Sequence, residues 1–131
     1  MPGPSGATYT LKIQEEFSAA HYLANHPGKC SRLHGHAWRV EAVVVGKDLD
    51  EIGCVVDFAV LKSALRQATD SLDHRLLNEL PPFREVNPTA ENLSAYFYGE
   101  MRQSLGKLPG IRLEEVTVWE SGTASSSYRE E

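Results

Sequence analysis

This chain of 131 residues is short of cysteine and basic charge, and it contains no long apolar run. Two cysteines, Cys30 and Cys54, are too few for a disulfide scaffold. Thirteen Lys and Arg against eighteen Asp and Glu leave a net charge of -5, which argues against a general nucleic-acid binder. No stretch approaches the ~20 apolar residues of a membrane span, and no signal peptide opens the chain. The expected compartment is the reducing cytoplasm, where a thiol near histidines points to catalysis or metal binding. There is no internal repeat. The first eight residues, rich in Pro, Gly and Ser, read as a flexible lead-in, with 9–131 as one domain large enough for a real core.

What is present follows two periods. Residues 9–17 alternate, with Tyr9, Leu11 and Ile13 against Thr10, Lys12 and Gln14, which predicts a half-buried strand running out near His21. Asn25, Pro27 and Gly28 mark 22–33 as a loop. A second strand spans 34–46, with His34, His36, Trp38 and Val40 on one face. From Asp57, a plausible N-cap, the spacing of Phe58, Leu61, Leu65, Ala68 and Leu72 is helical. After Pro81-Pro82 a second helix opens, with Asn87 as cap and Pro88 in the first helical position, and Gly106, Pro109 and Gly110 close it. A third strand covers 111–120, with Val116, Val118 and Glu120 sharing a face, and a fourth lies near 126–129. This ββααββ order predicts an α+β fold, an antiparallel sheet with two helices packed on one face. Its open strand edges invite pairing with other subunits.

The chemistry concentrates on histidine. The chain has five, and three of them are His21, His34 and His36. His34 and His36 emerge from one strand face, Gly35 between them allows close backbone approach, and His21 closes the preceding strand. Three imidazoles favour zinc and leave one position of a tetrahedral ion free, as in catalytic sites. The alternative is that some are ordinary polar or core histidines. Cys30, four residues before His34, is open between fourth ligand, buried spacer and reactive thiol. Lys29 and Arg32 favour a thiolate, and a fourth protein ligand would close the site, so an acid/base role is preferred. His26 reads as solvated and Cys54 as a small buried hydrophobe. Asp73-His74 reads as a helix-end or surface pair, or as a proton shuttle if the two touch. Glu120 is either a strand-end carboxylate or a grip for a cyclic amidine edge. Thr89 and Glu91 are first-turn helix residues, where an acid complements the dipole, and spacing gives little support for a ligand role.

Phe17-Ser18-Ala19-Ala20-His21, Cys30-x3-His34-Gly35-His36, Asp57-Phe58, Leu72-Asp73-His74, Asn87-Pro88-Thr89-Ala90-Glu91-Asn92 and Trp119-Glu120 occur together in this order. In this combination the chain resembles the 6-pyruvoyltetrahydropterin synthase / 6-carboxytetrahydropterin synthase family from about residue 9 to its end. The resemblance implies the tunnelling fold (T-fold), in which three subunits pool their strands into a barrel and two trimers stack into a homohexamer. It implies Zn2+ on His21, His34 and His36, Cys30 as general base, and Asp73 with His74 as a proton relay. It places the pterin ring on Glu120, with help from Thr89 and Glu91, in sites between subunits. Lys29, Arg32 and Arg75 are candidates for holding a triphosphate, with solvated surface charge as the equal alternative for each.

Three residues separate Cys30 from His34, a short gap similar to that of the 6-carboxytetrahydropterin synthases of queuosine biosynthesis. The resemblance therefore implies a carbon–carbon lyase that converts 7,8-dihydroneopterin triphosphate to 6-carboxy-5,6,7,8-tetrahydropterin, acetaldehyde and triphosphate. The rival readings are a pyruvoyl-forming enzyme on the same fold, a non-catalytic pterin-binding zinc scaffold, and a closed structural zinc site that includes Cys30.

Overall fold

The computed structural model describes residues 6–131; most of the expected lead-in, residues 1–5, lies outside the described residues. Its element order is β1 (Tyr9–His21), β2 (His34–Gly46), α1 (Phe58–Asp70), β3 (Arg75–Leu76), α2 (Ala90–Leu105), β4 (Ile111–Ser121) and β5 (Ala124–Tyr128). Short 3-10 turns at Lys29–Ser31, Leu77–Glu79 and Pro81–Phe83 punctuate the connections. The strands form one sheet in the order β3-β1-β2-β4-β5. All pairings are antiparallel except β3, which runs parallel to β1 through Ala19↔Arg75 and Ala20↔Leu76. Sequence alternation did not reveal β3, because two residues are too few to show a period.

β1 and β2 pair along their full length, from Tyr9↔Gly46 to His21↔His34. Their inward residues are Leu11, Ile13, Phe17 and Ala19 on one strand and Trp38, Val40, Ala42 and Val44 on the other. Leu61, Leu65 and Ala68 of α1 and Leu93, Phe97 and Met101 of α2 pack on this face, so both helices lie on one side of the sheet. Phe17 stacks on its cross-strand partner Trp38, with centroids 6.0 Å apart and planes 7° from parallel. Such a pair adds about 0.5–1.5 kcal/mol beyond burial. In β4 a register shift opposite Val43/Val44 leaves Glu114 without a cross-strand partner on β2 and changes the strand's phase. Val116 and Val118 therefore face the core, and Glu120 continues that face towards the histidines.

Four local expectations need correction. Phe58 opens α1 but is 52% exposed, because it precedes the buried stripe that begins at Leu61. The cap of α2 is Thr89, whose Oγ1 accepts from the Asn92 N–H at 3.0 Å; Pro88 stands before the helix rather than in it. Asn87 instead spends its side chain on the backbone of Ala24. Cys54 is only partly buried, beside a turn that Asp50 closes by accepting from the Ile52 and Cys54 N–H groups. Asp57 does cap α1, accepting from Ala59 N–H at 2.8 Å, and Gly106 ends α2 as expected.

Candidate metal centre and active site

The register of β1 and β2 builds the histidine cluster. His21 and His34 are direct cross-strand partners, and His36 lies two residues along the same face. One ligand nitrogen from each falls within 4.8 Å of the others. A one-residue slip would send His34 and His36 to the opposite face, so the core packing that locks the register also locks the cluster. Trp38 continues the row as its floor, edge-on to His21 and His36 at 5.0 and 5.1 Å. Its Nε1–H donates to Ala19 O at 3.3 Å.

The second nitrogen of each ring decides what the first can do. His21 Nδ1–H donates to Pro88 O at 2.8 Å, and His34 Nδ1–H donates to Arg32 O at 2.7 Å. Both bonds leave Nε2 as a lone pair directed at the cluster. His21 is 1% exposed, yet its Nε2 is buried without a hydrogen-bond partner, as is Nε2 of His36. A buried orphaned nitrogen is costly unless a ligand satisfies it. Burial, above all, lowers the pKa of His21, against the Pro88 carbonyl, which raises it; neighbouring His34 and His36 lower it further. Burial likewise lowers that of His36, against the raising effect of Glu120. Neutral imidazoles are the form a metal ion requires, so the donor set fits zinc.

Glu120 reaches this centre from β4, with Oε1 3.4 Å from His36 Nε2. Asp73 and His74 touch, His74 Nδ1 lying 2.9 Å from Asp73 Oδ2. They sit against the outer edge of β1, where Ser18 N–H donates to Asp73 Oδ1 at 2.8 Å and His74 N–H donates to Ser18 O at 2.6 Å. His74 takes a left-handed backbone (φ 59°), uncommon for a residue other than glycine. The Ser18 N–H first, and His74 second, hold the Asp73 carboxyl below its usual range. An open groove of about 550 Å³ is lined by both His36 and His74, with Arg75 and Leu76 along its side.

Cys30 occupies the Lys29–Ser31 turn, half-buried, and its thiol is not among the clustered metal-ligand atoms. The ligand cluster therefore consists of nitrogens alone. Pro88 binds His21, so the N-terminus of α2 abuts the centre. Thr89 Oγ1 is engaged in its own cap, and Glu91 is exposed in the first turn. His26 is exposed and accepts from Gly28 N–H at 2.9 Å, a local loop contact. Of the three basic candidates, Arg75 lines the groove, while Arg32 serves His34 through its carbonyl. Sequence reasoning missed the carbonyls of Pro88 and Arg32 as partners of the histidines. Every residue carries a carbonyl, so no residue type marks the one that will be used.

Comparison with known proteins places the chain in a family. The profile of the 6-pyruvoyl tetrahydropterin synthase family matches residues 10–131. The chain is 37% identical over 123 residues to the 6-carboxy-5,6,7,8-tetrahydropterin synthase of Synechocystis, covering 88% of this chain and 91% of that protein. It is 32% identical over 128 residues to the enzyme of the same name from Bacillus subtilis, covering 93% and 86%. The solved 6-pyruvoyl tetrahydropterin synthase of Caenorhabditis elegans superposes with a TM-score of 0.85 at 25% identity, over 95% of this chain and 97% of that one. A Plasmodium vivax 6-pyruvoyltetrahydropterin synthase shares the fold, with a TM-score of 0.76 at 21% identity over 95% and 98% of the two chains. No helix among the described residues is long and apolar enough to cross a membrane. With its T-fold sheet and helices, the chain belongs to the 6-pyruvoyl tetrahydropterin synthase family and is an enzyme, a lyase of pterin synthesis.

Proposed function

We propose that this enzyme is a zinc-dependent 6-carboxytetrahydropterin synthase. In this reading it converts 7,8-dihydroneopterin triphosphate and water to 6-carboxy-5,6,7,8-tetrahydropterin, acetaldehyde and triphosphate in the cytoplasm, as a step of queuosine-type deazaguanine synthesis. The observation that carries the chemistry is the nitrogen-only cluster with two buried, orphaned Nε2 atoms. The choice of carboxy over pyruvoyl product is supported by the names of the 37% and 32% identical relatives and by the three-residue gap between Cys30 and His34.

His21, His34 and His36 would hold the ion through Nε2. When bound, zinc supplies Lewis acidity that polarises the substrate's side-chain oxygens and makes the adjacent C–H more acidic. The Cys30 thiolate takes the proton from that carbon, and the electron pair left behind expels triphosphate. Arg75, exposed beside the groove, meets the triphosphate as a cation. Asp73 orients His74 through Nδ1, leaving Nε2 to pass protons between the side chain and the ring, so reducing equivalents move into the pterin without a redox cofactor. Cleavage of the side chain's carbon–carbon bond, with water supplying the carboxyl oxygen, then releases acetaldehyde. Glu120 grips the pterin edge by paired hydrogen bonds, with support from the turn at Thr89 and Glu91. Most of the outer edge of β1, and that of β5, has no strand partner among the described residues. Paired edges in a hexamer built from two trimers would cover them and complete sites between subunits.

The test is incubation of zinc-loaded protein with 7,8-dihydroneopterin triphosphate, with products identified by mass spectrometry. A 6-carboxy product with acetaldehyde is expected. A 6-pyruvoyl product would overturn the carboxy assignment, and absence of turnover with bound zinc would overturn the catalytic one.

A further inference from the structure

The β1–β2 ladder ends at His21↔His34, yet the next three residues remain held. The Tyr22 N–H donates to Asn78 Oδ1 at 3.0 Å, and Asn78 Nδ2 donates to Tyr22 O at 2.9 Å. Two residues on, the Ala24 N–H donates to Asn87 Oδ1 at 2.8 Å, and Asn87 Nδ2 donates to Ala24 O at 3.0 Å. Each asparagine thus offers its amide as a substitute peptide group and satisfies both backbone groups of one residue, as a neighbouring strand would. Leu23 lies between the two, and alternation turns its N–H the other way, where it donates to Cys30 O at 2.7 Å. The position of Cys30 is therefore tied to a three-residue extension of β1 whose other edge is two side chains.

Both asparagines are themselves anchored. Asn78 follows the fully buried Leu77 in its 3-10 turn. Asn87 O accepts from Asn92 Nδ2 at 2.8 Å and from Thr89 N–H at 2.9 Å. The next residue is the buried Pro88, whose carbonyl holds His21.

We infer that Asn78 and Asn87 are positioning residues for Cys30: by acting as a side-chain strand along 22–24 they hold the thiol in place relative to the three histidines. This inference rests on the reading of Cys30 as general base. Asn78→Ala is the cleaner variant, because Asn87 adjoins the residue that binds His21. Asn78→Asp is its graded partner, keeping an acceptor for the Tyr22 N–H and losing the donor to its carbonyl. In the zinc-loaded enzyme three quantities are read: metal content, kcat against KM, and the iodoacetamide alkylation rate of Cys30 relative to Cys54. Cys54 is an internal control because it lines a groove at the Tyr9 end of β1, about 40 Å of strand from His21.

Asn78→Ala is expected to keep full zinc and KM, to lower kcat about tenfold, as supporting contacts of a site do, and to change Cys30 alkylation several-fold with Cys54 unchanged. Asn78→Asp should fall between that variant and the parent. Unchanged kcat and Cys30 alkylation would overturn the inference, as would a parallel change at Cys54 or loss of zinc, since those report general loosening or an effect through the metal. If Cys30→Ala retained turnover while Asn78→Ala still altered Cys30 alkylation, the base assignment would fall and the positioning role would stand.

Discussion

The candidate metal ligands and the proposed acid/base groups are held in different ways. His21, His34 and His36 stand on two strands of 13 residues each, paired end to end over a continuous core. To move one of them, the register or Trp38 beneath them must move. Cys30 and the Asp73-His74 pair stand on connections and are held by a few bonds from Leu23 and Ser18. Ligand geometry needs rigidity, and the sheet supplies it. Proton transfer needs groups that approach the substrate from its periphery, and loops beside the sheet edge supply those.

Substitutions can break this contrast at either side. His34→Ala should have the broadest effect, reducing both bound zinc, to a small fraction of stoichiometry, and turnover, by more than about 100-fold, beyond what loss of a supporting contact costs. Metal analysis alongside kinetics checks it; retained zinc would remove His34 from the ligand set. Cys30→Ala should leave zinc in place and lower kcat by about 10²–10⁴-fold. Equal activity in that variant would show that the loop thiol is not the base.

Acid should separate the two regions further. His21 and His36 have pKa values lowered by burial, so the folded chain resists protons that the unfolded chain accepts near 6.5. Their contribution to stability is present above 6.5 and lost as pH falls below it. Protons compete with the metal in the same window. Dialysis from neutral pH to below this range should release zinc and lower the denaturation midpoint of the metal-free protein. A midpoint flat across the window would contradict the burial argument. Thr89→Ala should have the smallest effect, a loss of about 1 kcal/mol of stability from the α2 cap, read by denaturant titration. A rise in KM in the same variant would report the added contact with substrate proposed for Thr89.

Much of the framework was legible in advance. Period-two alternation located β1, β2 and β4, and Asp57 and Gly106 mark helix ends through local chemistry. Phe58 and Asn87 were less legible, because helical spacing does not say where a core begins, and a capping residue type also serves as a tether. β3 was invisible because its two residues owe their strand conformation to the edge of β1.

The sequence by itself determined the chemistry available: three imidazoles, one nearby thiol, an acid beside a histidine, and the common face of His34 and His36. Those follow from residue type and from the two-residue repeat, which are local properties. Only the tertiary structure decided that His21 faces His34, that Pro88 and Arg32 turn both Nε2 atoms inward, that Ser18 holds Asp73, and that two asparagines extend β1 towards Cys30. Register and backbone carbonyls are chosen by packing between distant segments, and a carbonyl looks the same at every position of a sequence until the fold gives it a partner.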